Sequence, residues 1–176
     1  MNLLSRRIFK SSLTSQASIR ELVQNVLVSE LLAPSDAVWL VSPWITNVAI
    51  FDNRSGSFDI LNPQWGHREI RLLDILLLLL STGTRCRIVT RPLEVNERII
   101  NQVNEVATQN GVLDSLTVIQ RDVLHTKGFL TSRGLLIGSM NFTHSGLELN
   151  DESVEFTVDR QSIASARLAF ETYLKK

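Results

Sequence analysis

A histidine and a lysine two positions apart, a Gly-Ser-Met-Asn tetrapeptide and an Asn-Asp-Glu tripeptide follow one another in a short stretch of this chain. They supply His125 and Lys127, then Gly138, Ser139 and Asn141, then Asn150 and Glu152. These residue types are equipped to attack a phosphodiester without a metal. A neutral imidazole can add to phosphorus, while an ammonium, a hydroxyl and an amide offset the charge growing on the phosphate oxygens. Glycine at 138 lets backbone approach a ligand closely, and Ser139 and Asn141 can donate to phosphate oxygens.

Such a constellation needs a frame. If Leu124 to Thr131 is a strand, period-two alternation puts His125, Lys127 and Phe129 on one face. Arg133-Gly134 then supplies turn chemistry, and Leu135-Leu136-Ile137 reads as a short buried strand that returns antiparallel and carries Gly138 and Ser139 back to the level of the histidine. Upstream, the spacing from Ile19 to Leu31 predicts a helix with Ser18 and Glu21 as a capping box, stopped by Pro34-Ser35-Asp36. Ala37–Val41 reads as a buried strand entering Ser42-Pro43-Trp44. Asn47 to Gly66 is polar and turn-rich and reads as a substrate-facing loop. A leucine-rich helix is expected over 67–81, a strand over 85–90, a helix over 96–110, strands over 116–120 and 153–158, and a closing helix over 162–174. Strands alternating with helices up to residue 111 predict right-handed crossovers and parallel pairs, and the later hairpin adds antiparallel pairing. The expected class is α/β, a mixed β-sheet sandwiched by helices. Ligands in open α/β sheets gather at the carboxyl ends of strands, which brings Trp44 and Arg91 toward His125.

The motif residues also carry a resemblance. His-x-Lys, then Gly-Ser-x-Asn and a downstream Asn-x-Glu, resembles the signature of the phospholipase D superfamily, and specifically its nuclease branch. The resemblance implies the phospholipase D-like fold and an active site built from two such motifs, one histidine the nucleophile and the other the general acid. This chain has one motif, so the second histidine is expected from a second subunit across a two-fold axis, with both motifs at the interface. Catalysis would rest on His125, Lys127, Asn141 and Glu152, the carboxylate of Glu152 accepting from the second ring nitrogen of His125. Substrate phosphate would meet Ser139, Gly138, Asn150, Trp44 and Arg91. Two imidazoles in one pocket predict a bell-shaped rate profile. The chain departs from the pattern twice: Ser132 stands where the family has a largely structural aspartate, and the interval before Gly138 is one residue short. Its GSMNFTHSGLELNDE continuation is most similar to the DpdK-type proteins of bacterial DNA deazaguanine modification systems.

Composition bounds these readings. A chain of 176 residues, 44% hydrophobic, fits a single domain over residues 1–176, with 1–16 as a mobile arm. With 18 basic and 18 acidic residues the formal charge is zero, so no global field draws in a polyanion and nucleic-acid binding must be local. Arg85, Arg87, Arg91 and Arg121, with Trp44 and Trp65, offer a basic surface with stacking sites for single-stranded DNA, although arginines in and beside strands equally serve as solvated ends. The lone Cys86 suits a reducing compartment, and His67, His125, His144 and Cys86 show no metal-ligand spacing, so neither metal nor cofactor is expected. The leucine run is about half of the roughly 20 residues needed to cross a bilayer and contains Asp74. No signal peptide is visible, and a cytoplasmic site is expected.

The expected function is therefore a metal-independent phosphodiesterase, a homodimeric nuclease acting on DNA through a phosphohistidine in a bacterial modification or restriction setting, alongside partner proteins of such a system and away from membranes. The alternative keeps the fold and drops the chemistry: a nucleic-acid-binding or scaffold subunit, favoured by Ser132. Each residue has a plainer reading as well. A lone strand histidine is often structural, Lys127 can snorkel from an edge, Ser139 can bond its own turn, Asn150 can end a helix, and His144 can face solvent.

Overall fold

Alternation of apolar residues along five-residue strands explains the molecule's layering. In β2 (Ala37–Val41), Val38 and Leu40 point into one cluster of buried side chains while Trp39 and Val41 point into another. A strand buried on both faces must lie inside a sheet covered twice. The structure is a computed structural model and describes residues 4–11 and 17–175.

Nine strands and four helices follow in order: β1 (Ser5–Lys10), α1 (Ala17–Leu32), β2, β3 (Ala49–Asp52), β4 (Glu69–Arg71), α2 (Leu72–Ser81), β5 (Arg85–Thr90), α3 (Glu94–Gln109), β6 (Leu116–Gln120), β7 (Gly128–Leu130), β8 (Leu135–Gly138), β9 (Glu152–Thr157) and α4 (Arg160–Glu171). Seven strands form one sheet in the order β1-β9-β8-β7-β2-β5-β6, and β3 and β4 pair separately. The pairs β2–β5 and β5–β6 are parallel, and the remaining pairs in the large sheet are antiparallel. This is the mixed sheet between helical layers that the sequence predicts.

Helices α1, α2 and α3 pack on one face, where Ile19, Leu27, Ile75, Leu79 and Val103 meet Leu40, Phe129 and Leu136. Helix α4 lies on the other, pressing Ile163 and Phe170 against Trp39, Val89 and Leu130. The leucine-rich α2 is buried on several sides, and each fully buried leucine there contributes roughly 2 to 3 kcal/mol. Cys86 is buried beneath it, and burial pushes its thiol up to about 12. Among the described residues no helix is long and apolar enough to cross a membrane.

Several expected boundaries move. Ser5–Lys10, read as part of a mobile arm, is the edge strand β1, paired residue for residue with β9; residues 1–3 and 12–16 lie outside the described residues. Ser18 is inside α1 rather than at its cap, because the helix already includes Ala17. The leucine helix begins at Leu72, since Glu69–Arg71 pairs with β3 and Asp74 caps the helix by accepting from the Arg71 backbone N–H at 2.8 Å.

The segment read as a substrate-facing loop over 47–66 contains a strand and sends five side chains into the core, while its remaining residues are exposed or half-buried. Ile50 and Phe51 of β3 are buried, and Trp65 packs on Phe51 with ring centroids 6.2 Å apart. Buried Asn53 organises it: its amide donates to Asp59 and to the Gly66 carbonyl, and its oxygen accepts from Phe58. One short apolar stretch, Val48 to Phe51, among many polar neighbours masks a strand whose partner lies beyond a long connection.

Candidate active site

The sheet ends early at the motif. Strand β7 covers only Gly128–Leu130, because β2, its partner, ends where Val41 pairs with Gly128. His125 to Lys127 therefore project beyond the ladder, in contrast to the expected strand over 124–131. The His125 side chain is exposed and, among the described residues, its ring makes no hydrogen bond. Lys127 is half-buried, and its Nζ donates to the His125 backbone carbonyl at 2.8 Å. Thr126 turns the opposite way and accepts from the Tyr173 hydroxyl at 3.3 Å.

Gly138 ends β8 against β9. A Cβ there would sit 2.1 Å from the Ser153 carbonyl oxygen and 2.8 Å from the Val154 Cα, so the glycine is required by strand contact. The strand contact alone demands glycine here, and Gly138 also lines the recess around His125. Ser139 continues the contact: its N–H donates to the Ser153 carbonyl at 2.9 Å, and its hydroxyl accepts from the Ser153 N–H at 2.9 Å while donating to Glu152. Glu152 is buried, and its second oxygen accepts from the Asn150 amide at 3.4 Å. The carboxylate expected to bind the His125 ring is thus engaged by Ser139 and Asn150 instead.

Opposite Glu152 in the β1–β9 register stands Lys10, a buried lysine that sequence reasoning missed. Its Nζ donates to the Gly146 and Leu147 carbonyls, at 3.3 and 3.0 Å, in the π-helical turn Ser145–Leu149. Gly146 must be glycine, because a Cβ would lie 2.3 Å from the Asn141 carbonyl oxygen. The turn is thereby packed directly on Asn141.

Asn141 faces the loop after β2. Its Oδ1 accepts from the Ser42 hydroxyl at 3.2 Å and the Trp44 N–H at 3.4 Å, and the Ser42 hydroxyl in turn accepts from the Phe142 N–H. The single Ser42 hydroxyl hydrogen is shared with the nearer Trp44 carbonyl at 2.8 Å, and with the Asn141 oxygen so engaged, its amide hydrogens are the atoms left to meet a ligand. Both loops are locked by buried Asn96, whose amide donates to the Pro43 carbonyl, the Thr90 hydroxyl and the Arg91 carbonyl, each at 2.8 Å, and whose oxygen accepts from Ile45. Sequence reasoning missed Asn96 because only its neighbours in space, not in sequence, give it a role.

Trp44 is 38% exposed, with the Arg91 guanidinium 5.9 Å from its ring centroid. The Arg91 Nε is buried with no partner, a donor whose pairing would repay its desolvation. The basic surface with stacking sites is only partly assembled: Trp65 is core, and Arg121 sits over Tyr173. His67 faces Asp59 at 3.8 Å, and His144 is exposed at the start of the turn packed on Asn141.

A shallow recess of about 470 Å³ is lined by His125, Lys127, Gly138, Phe9 and the paired Arg7 and Glu155, whereas Ser139, Asn141, Asn150, Glu152, Trp44 and Arg91 lie outside that lining. A larger hollow of about 650 Å³, around Asn47, Arg71, Glu94 and Arg98, contains no motif residue. The lining of the shallow recess includes two exposed apolar side chains, Phe9 at 68% and Ile137 at 39%. Among the described residues no three histidine, cysteine or acidic side chains converge as a metal site would.

Ser132 lies at the far end of the same strand pair. Its hydroxyl is 2.8 Å from that of Ser35, which donates to Glu30 at 3.0 Å; Arg133 also donates to Glu30 at 3.0 Å. Glu30 is 1% exposed, and burial raises its carboxyl above the ordinary range despite bonds from Ser35 and the charge of Arg133. A buried carboxylate from α1 therefore occupies the neighbourhood where the motif lacks its own.

Residues 47–174 match the family described as cardiolipin synthase, PLD-like domain. No curated protein matches the chain in sequence. Among solved structures it is similar to NucT from Helicobacter pylori (TM-score 0.63, 14% identity, covering 97% of this chain and 96% of that one). It is likewise similar to Nuc, a phospholipase D family member from Salmonella typhimurium (TM-score 0.51, 14% identity, 97% and 91%). It is also similar to TrmBL2, an archaeal chromatin protein with a described mode of DNA binding (TM-score 0.55, 10% identity, 98% and 52%). At these identities the likeness is one of fold.

Proposed function

This chain belongs to the phospholipase D-like family, a superfamily of phosphodiesterases, and on that premise we propose that it is a homodimeric, metal-independent nuclease acting on DNA in preference to RNA. The observation that carries the reading is the exposed His125 side chain in an open recess that it shares with Lys127 and with the exposed apolar side chains Phe9 and Ile137. Half a site on an apolar surface suits closure by a second copy.

In the proposed reaction a ring nitrogen of His125 attacks phosphorus and the bond to the leaving oxygen breaks. That oxygen takes a proton from the imidazolium of the partner's His125. Water then attacks the phosphohistidine, gives its proton to the partner's ring, now neutral, and releases the phosphate product. Lys127 and the Asn141 amide stabilise the crowded phosphorus intermediate, Arg91 and Trp44 hold neighbouring phosphate and base, and Ser139, Gly138 and Asn150 position Glu152 and the strand beneath. The setting in a bacterial DNA modification or restriction system, with partner proteins, rests on the likeness of the motif continuation.

A second reading, a binding or scaffold subunit without turnover, is favoured by Glu152 being engaged by Ser139 and Asn150 rather than by the His125 ring. The test compares wild type and His125→Ala on labelled single-stranded DNA with a chelator present. Cleavage by the wild type alone, with an acid-labile phosphoprotein in the quenched reaction, supports the nuclease. Equal binding by both proteins with cleavage by neither supports the scaffold.

A further inference from the structure

Strands β2 and β5 run parallel with Ala37 beside Arg85 and Trp39 beside Arg87, so both arginines rise from the sheet face that α4 covers. The helix reaches Trp39 with Phe170 but leaves Arg87 half-buried and Arg85 exposed. Arg167 comes down from α4 itself. The three border a recess of about 240 Å³, together with Asp36, Glu171 and Ser132. At about 30 Å³ per water, the recess has room for a phosphate group and its hydration.

We propose that this recess binds a phosphate of the nucleic-acid strand, at a phosphodiester other than the one cleaved. The inference rests on the nucleic-acid reading above and adds a second contact to it. Three observations carry it. The Arg87 guanidinium lies 4.8 Å from the Trp39 ring centroid, a cation–π contact that fixes its plane and leaves its edge for a ligand. Among the described residues no carboxylate lies within ion-pair distance of any of the three arginines: Arg85 and Arg167 donate at 3.4 Å to the backbone carbonyls of Asp36 and Thr131, and Arg87 makes no hydrogen bond. Burial and then the neighbouring Arg85 lower the Arg87 pKa, with Glu171 opposing and Arg167 adding to the effect, so the cations are crowded.

An anion relieves that crowding. Planar forked donors match the oxygens of phosphate two at a time, which a chloride cannot exploit. Asp36 and Glu171 face the same recess and oppose an anion, leaving one net positive charge among the five ionisable groups that line it. The recess sits at the Ala37 end of β2 and the motif beyond its Val41 end, roughly 13 Å away at about 3.3 Å per residue. Helix α4 covers the sheet between them, so a nucleic-acid strand that reaches both passes along the outside of that helix.

The test uses full-length protein carrying His125→Ala, to prevent cleavage, and titrates a labelled single-stranded oligonucleotide at several salt concentrations. Adding Arg87→Gln should weaken binding about tenfold and lower the slope of log affinity against log salt by about 0.7, one phosphate contact. The exposed Arg85→Gln should act in the same direction and checks against a folding defect. Glu171→Gln should strengthen binding severalfold, and Arg160→Gln, elsewhere on α4, should change nothing. Unchanged affinity and slope in Arg87→Gln and Arg85→Gln, with the oligonucleotide still bound, overturn the second contact and leave the nuclease reading standing. If no variant binds the oligonucleotide, inorganic phosphate is titrated: binding lost in Arg87→Gln upholds the anion site and removes its nucleic-acid source, whereas no binding overturns both.

Discussion

The two ends of the β2–β7 strand pair use similar residue types for opposite purposes. At the Val41–Gly128 end, His125 and Lys127 project past the ladder into an open recess, and polar side chains behind them clamp loops rather than fill core. At the Ala37–Ser132 end, Ser35, Ser132 and Arg133 enclose the buried Glu30 carboxyl. One motif spans both. The comparison teaches that its histidine side chain is left exposed and unbonded, as the proposed chemistry requires, while its final position is built into the polar network around Glu30. A substitution at that far position can therefore be offset by a carboxylate from another element without touching the reactive end.

That division can be broken by mutation, and the largest effect belongs to the reactive end. His125→Ala should abolish cleavage, by about four orders of magnitude or more, with melting temperature unchanged because the side chain is exposed and unbonded. Equal loss of stability would erase the distinction between the ends. Ile137→Asp, at the exposed rim, should yield a folded monomer by light scattering whose cleavage falls about a hundredfold, because the partner's histidine is withdrawn. Asn96→Ala should cost roughly 2 to 4 kcal/mol in chemical denaturation, since three buried partners and one part-buried partner lose the amide at once, and should also slow cleavage by loosening the Ser42–Trp44 and Arg91 loops.

The far end should move stability alone. Ser132→Asp, which supplies the family's residue, should destabilise by about 1 kcal/mol rather than raise activity, because it sets a second carboxylate near buried Glu30. A gain in cleavage rate would contradict the compensation. The pH dependence has a definite sign: because the folded-state pKa of Glu30 is raised, its stabilising contribution is full below the ordinary glutamate range and is lost as pH rises through the raised value. Glu30→Gln should flatten the stability profile there, as read by denaturation at stepped pH.

The sequence made the two ends unequally legible. The motif was readable because its residues are close in sequence, and the strands at 37–41, 85–90 and 116–120 were readable because their apolar runs are bounded by turns. Glu30, Lys10 and Asn96 were not. Each is a polar residue made structural by partners far along the chain, such as Asn96 by Pro43 and Lys10 by Gly146, and no local periodicity reports such a bond. Strand β1 escaped for the same reason, since an edge strand with basic residues resembles a free arm until β9 pairs with it. The short β7 was over-extended because alternation continues through His125 while its partner strand has ended.

The central claim is that one active site needs His125 from two copies. Wild-type and His125→Ala chains, dissociated, mixed in varying proportion and reassociated, measure it directly through cleavage rate per total protein. The account predicts that mixed dimers are dead, so activity follows the square of the wild-type fraction and stands at roughly a quarter for an equal mixture. A linear dependence, with roughly half the activity at equal mixing, would show that each subunit works alone and would contradict the account.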